Sequence, residues 1–167
     1  MTDASTPART APTAGVAALL AAALPEWAAT PREAGSAGGR AWAWSADLTD
    51  DPCGQVPAEL RLQALGDGAA VPVAFSAVLP ARVAPDDHER ARALLSAHSA
   101  EHVGVGLVDL DAGGAVRYRL THAPLRPWTP DDLRTLAGDA LAYADAALAP
   151  AWRSLEADGV RFAGGLR

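Results

Sequence analysis

Val71-Pro72-Val73-Ala74-Phe75-Ser76-Ala77-Val78-Leu79 sets Val71, Val73, Phe75, Ala77 and Leu79 on one side of an extended chain, and Pro85-Asp86-Asp87 soon after it changes the period. Alternation at period two is the mark of a half-buried strand. Ala91, Leu94, Leu95 and His98 then recur at helical spacing, so a helix opens at Pro85 and ends near Glu101. Proline fits the first helical position because its missing N–H had no partner there, and carboxylates in the first turn complement the helix dipole.

Working outward, Ala58 to Leu65 and Arg40 to Leu48 each alternate one apolar with one polar face, and Gly66-Asp67-Gly68 is a turn signal. Three consecutive strands with short polar connections read as an antiparallel meander. Downstream, Val103 to Leu110 and Ala115 to Thr121 flank Asp111-Ala112-Gly113-Gly114, which reads as a hairpin. Thr129-Pro130-Asp131-Asp132 supplies an N-cap, a proline at N1 and an acid at N3 for a last helix carrying Leu133, Leu136, Ala137, Ala140, Leu141, Ala144 and Leu148. Pro150 predicts a kink or break, and Asp158-Gly159 the end. At the other end, Val16, Leu19, Leu20, Ala23, Leu24 and Trp27 form one face of a first helix running from Thr13 to Ala29, ahead of a Gly35–Gly39 connector. The expected order is α-β-β-β-α-β-β-α, an α+β fold with helices on one face of an antiparallel, curved sheet. Residues 1–12 are expected as a disordered leader, 13–158 as one domain and 159–167 as a frayed tail.

The 167 residues bear a net charge of -6, and every basic residue is arginine, with lysine, asparagine and isoleucine absent. A chain of this length buries about 70% of its unfolded surface without staples. No apolar run reaches the length of a spanning helix, so no membrane is expected. The segment Val16 to Leu24 lacks the positive flank of an export signal, and Cys53 is a lone thiol in a turn-like stretch; both point to the cytoplasm.

His98-Ser99-Ala100-Glu101-His102 has the H-x-x-E-H spacing in which two histidines share a metal and a glutamate acts as base, the pattern of a zinc-dependent hydrolase. Against it, the helix is expected to end beneath the second ligand, no third ligand is placed, and His98 falls in the apolar stripe of Leu94 and Leu95. Trp42 and Trp44, with Arg40, Arg117 and Arg119, suggest a stacking platform for single-stranded nucleic acid, although the acidic balance argues against direct nucleic-acid binding. Gly104-Val105-Gly106 lacks the third glycine of a phosphate loop, and Asp86-Asp87 and Asp131-Asp132 are explained by helix starts. No catalytic, metal or cofactor site is expected.

Leu79-Pro80, then Leu94-Leu95-Ser96-Ala97-His98, Val105-Gly106-Leu107-Val108-Asp109, Gly113-Gly114-Ala115-Val116-Arg117-Tyr118-Arg119 and Thr129-Pro130-Asp131-Asp132-Leu133 together resemble the YbjN family, over roughly residues 41–157 in element order. His98 stands where that family commonly has Asn. The resemblance implies a fold similar to the class I chaperones of type III secretion, and a small non-enzymatic protein, often a homodimer, that binds another protein in a chaperone-like or adaptor role. Trp42, Trp44, Phe75, Val105 and Leu107 are the candidates for that binding surface or for the core beneath it.

Overall fold

The computed structural model describes residues 15, 18–20, 30–33, 40–50, 54–66 and 68–163. Residues 18–20 are helical and represent the first helix, α1. Then follow β1 (Thr30–Glu33), β2 (Arg40–Asp50), β3 (Gly54–Ala64), β4 (Val73–Val83), a 3₁₀ turn at Pro85–Asp87 leading into α2 (His88–His102), β5 (Leu107–Leu110), β6 (Ala115–His122), α3 (Pro130–Ala157) and β7 (Phe162–Ala163). The leader, Cys53 and the Gly35–Gly39 connector lie outside the described residues, as does the rest of the first helix.

The sheet runs β1-β2-β3-β4-β6-β5 with every pairing antiparallel, and β7 adds to the far end of β4. The five expected strands are β2 to β6, and the architecture is α+β as the pattern predicts. Val73, Phe75, Ala77, Leu79, Ala81 and Val83 of β4 are all buried, with Leu60 and Leu62 of β3 and Val116 and Tyr118 of β6 beside them. The alternating residues face away from the helices.

Helix α3 covers this core with a stripe of Leu133, Ala137, Ala140, Ala144, Leu148, Ala151 and Leu155, whose alanines let its backbone approach the sheet closely. Thr129 and Asp132 close the expected capping box. Pro150 does not end the helix, which continues to Ala157; a single forfeited hydrogen bond is outweighed by the burial of Ala151, Trp152 and Leu155 beyond it.

Besides β1, which the pattern does not predict, and the start of β3 at Gly54 in place of Ala58, three boundaries depart from expectation. Val103 to Gly106 is loop, because Gly106 takes φ +83, a conformation that ends the strand on its N-terminal side. Strand β4 runs past Pro80 to Val83 through a bulge against β6, between Val78 and Arg82, where proline has no N–H for the ladder. The tail is not frayed through Ala163: Phe162 pairs with Val83 and stacks on Trp152 at 3.9 Å, and the Arg161 N–H and guanidinium donate to Asp87 at 3.0 and 2.8 Å.

Candidate interaction surface

Of the five binding-surface candidates, Phe75 belongs to the core. It is 1% exposed and meets Tyr118 edge-on, with ring centroids 6.3 Å apart. Trp42 is in register with Leu62 and Trp44 with Leu60, and residues directly opposite share a face, so both tryptophan positions lie on the helix-covered side. Arg117 and Arg119 lie on the other side, in register with Val78 and Ser76. The sheet therefore separates the tryptophan positions from Arg117 and Arg119, while Arg40, two residues before Trp42 on β2, is at a position of the tryptophan face. The arginines are also engaged: Arg117 grips Asp109 with two hydrogen bonds of 2.9 and 3.1 Å, Arg119 pairs with the same carboxylate, and Arg61 pairs with Glu59. That open face is a polar, largely self-neutralised surface.

Val105 and Leu107 are the exposed candidates, at 41% and 40%, and they lie apart. Leu107 is opposite Arg119 on the open face. Val105 instead walls a groove of about 520 Å³ at the end of the sheet where β5 has not yet begun, between the sheet and the first turns of α3. Its other apolar walls include Leu120, Leu125, Trp128, Leu136 and Tyr143.

Val105, Trp128 and the loop that carries Leu125 are braced by hydrogen bonds. The buried Tyr118 hydroxyl donates to the Val105 carbonyl at 2.8 Å, and burial, reinforced by the charge of Tyr143, pushes its pKa up to about 12. Trp128 donates its indole N–H to the Val71 carbonyl and its backbone N–H to Ala69, both at 2.8 Å. Arg126 forks onto Asp132 with two 2.8 Å bonds; that carboxylate also accepts from the Thr129 hydroxyl and N–H, and these contacts with Arg126 hold it below the usual carboxylate range. The loop carrying Leu125 is thus pinned near its base while Leu125 itself is wholly exposed, at 105%. Asp139 stands at the groove rim without an ion-pair partner among the described residues.

The neighbouring sheet edge is closed. The Ser99 hydroxyl of α2 donates to the Val108 carbonyl at 2.8 Å and accepts from the Val108 N–H at 2.9 Å, so a side chain takes the place that another strand would occupy on β5.

Helix α2 ends at His102, within a residue of the expected end, and its last turn brings the His98 and His102 rings to 5.0 Å between centroids. His98 is buried against α3, with the Ala147 carbonyl as its acceptor, and burial followed by the His102 charge lowers its pKa. Arg153 lines the same cavity, a poor neighbour for a cation, and no group of three or more His, Cys, Asp or Glu converges among the described residues. Asp87 and Asp132 serve as anchors at helix starts. No helix among the described residues is long and apolar enough to cross a membrane.

A solved structure matches this arrangement of sheet and helices. The crystal structure of YbjN, a candidate transcription regulator from E. coli, superposes with a TM-score of 0.52, covering 86% of this chain and 93% of that one at 14% identity. The chain has the YbjN fold. At that identity the likeness to YbjN is one of fold, and regulation is a description of that protein alone. No family model and no curated protein matches the sequence. Leu125 and Tyr143, which complete the groove, escaped the sequence reading: Leu125 sits in a loop between Pro124 and Pro127, and Tyr143 lies off the inward stripe of α3.

Proposed function

We propose that this chain is a non-enzymatic protein-binding protein, chaperone-like or adaptor in role and cytoplasmic, that engages proteins through the groove walled by Val105, Leu125 and Tyr143. The carrying observation is that three exposed apolar side chains border one groove on braced supports, an arrangement a solitary domain gains nothing from exposing. Pre-organised walls reduce the entropy lost when a partner docks. The YbjN fold is compatible with such a role.

The test is suppression of aggregation. A chemically unfolded reporter protein diluted into buffer scatters light, and the chain at equimolar ratio is expected to reduce that scattering. Val105→Asp, which leaves the Val105 carbonyl and its Tyr118 bond in place, is expected to lose most of the effect. Equal scattering with and without the wild-type chain would overturn the proposal.

A further inference from the structure

We infer that the groove takes one extended segment of another protein, added as a strand beside the end of β6, with an apolar residue and a lysine or arginine two positions apart facing the groove. This rests on the reading of the groove as a protein-binding surface and names the kind of segment bound there. The backbone register carries the first half. Both backbone groups of Val108 point at Ser99, away from β6. Successive residues of a strand aim their N–H and C=O groups at opposite edges, so Leu107 and Asp109 face β6 and bond their partners Arg119 and Arg117. Thr121, two residues beyond Arg119, turns its own groups to that same side. There β5 has not begun: Gly106 at φ +83 holds the preceding chain off the sheet, and Thr121 is exposed with no partner on that side among the described residues. With β4 paired along the other side of β6 as far as His122, what remains is a short open edge.

The groove adjoins this edge, and its lining decides the side chains. Residues directly opposite share a face, so the partner residue that pairs with Thr121 points to the open face, and its two neighbours point with Leu120 and His122 into the groove. There they meet Leu136 and Tyr143 of α3, with Asp139 between them. Arg126 and Asp132 neutralise each other through two 2.8 Å bonds, whereas Asp139 is exposed and has no ion-pair partner among the described residues. The uncompensated formal charge of the lining is thus a carboxylate set between apolar side chains, and it selects a cation beside an apolar anchor. Ladder bonds supply affinity without regard to sequence, and the two inward side chains supply the choice. A helix laid in the groove would leave both Thr121 groups unused.

Fluorescence anisotropy of a tagged Ser-Thr-Leu-Thr-Arg-Thr-Ser peptide, with the full chain titrated to about 1 mM, tests this. The peptide is expected to bind, and replacing its arginine by glutamate to weaken binding about fivefold. Methylating the backbone nitrogen of the threonine between leucine and arginine, which removes the donor aimed at Thr121, is expected to weaken it about fivefold as well. Asp139→Arg is expected to reverse the preference between the two charged peptides, Thr121→Pro to lower affinity for both, and Leu65→Asp, an exposed apolar site outside the groove, to change neither. The methylated peptide makes the same test as Thr121→Pro without altering the chain. No binding by the wild-type chain, equal affinity for the arginine and glutamate peptides, or undiminished affinity for the methylated one overturns the inference. So does a dimer of the chain, seen in sedimentation velocity, that shuts the peptide out. The aggregation assay is read separately: a chain that protects the reporter and ignores the peptide refutes the added strand and leaves the protein-binding reading intact, and one that takes the peptide and protects nothing keeps the added strand and removes the chaperone-like role.

Discussion

Replacing Tyr118 by Phe removes one oxygen from the middle of the fold and tests both the core and the groove. The ring stays: its edge-on contact with Phe75 and its burial are unchanged, so no cavity opens. What is lost is the 2.8 Å bond to the Val105 carbonyl. A hydrogen bond of this kind contributes about 0.5–1.5 kcal/mol net, and because Val105 is exposed its carbonyl finds water, so the cost is about 1 kcal/mol and not the larger penalty of a stranded buried acceptor. For a domain of this size that corresponds to a melting temperature lower by about 2–4 °C.

The alkaline limb is the sharper readout. Burial favours the neutral phenol, raising its pKa from 10.0 to about 12 in the folded state. The resulting stability is fully present below pH 10 and is lost as pH rises from 10 to 12, by about 2–3 kcal/mol in all. With no lysine in the chain and only two tyrosines, few other groups titrate in that window. Urea unfolding between pH 8 and the alkaline limit is expected to show the decline in wild type and its absence in Tyr118→Phe. An equal decline in both proteins, or a loss at neutral pH above about 3 kcal/mol, would refute the reasoning.

Further expectations concern separate parts of the molecule. Gly106→Ala places a Cβ over the Tyr118 hydroxyl at a φ of +83 and is expected to destabilise by about 1–3 kcal/mol in urea titrations, whereas Gly104→Ala, with open space around it, is expected to be near neutral. Leu148→Ala, in the fully buried stripe of α3, is expected to cost about 2–5 kcal/mol. His98 favours its neutral form in the fold, so stability is full above the ordinary histidine value of 6.5 and falls as pH drops below it toward the depressed folded value. His102, Glu101 and Arg153 are the charged or titratable neighbours around it, and a His98→Gln variant is expected to flatten that acid limb in denaturant midpoints measured from pH 8 down to pH 5.

Local pattern carried the elements, and pairing partners decided the surfaces. The capping box at Thr129 and Asp132 and the alternation through Phe75 were readable because each signal is complete within a few residues. Val103 and Val105 alternate as a strand would, and the positive φ of Gly106 is what the alternation conceals. Trp42 and Trp44 were seen to share a face, but assigning that face needed their register against Leu60 and Leu62, a relation between distant segments. Strand β7 is two residues long and leaves almost no periodic trace, while its anchors, Asp87 and Trp152, are far away in sequence. The groove was the least legible because it joins a loop before β5, a loop before α3 and an outward position on α3, with no shared spacing.

The Ser99 plug also bears on how such a molecule avoids polymerising. A strand edge with unpaired N–H and C=O groups is a template that recruits further copies without limit, whereas a hydroxyl on an adjacent helix consumes both groups and recruits nothing. The closure holds only while α2 lies against β5. An event that lifts this helix would free the Val108 groups, so how well this edge resists the addition of a further strand depends on how seldom α2 detaches as well as on the stability of the sheet itself.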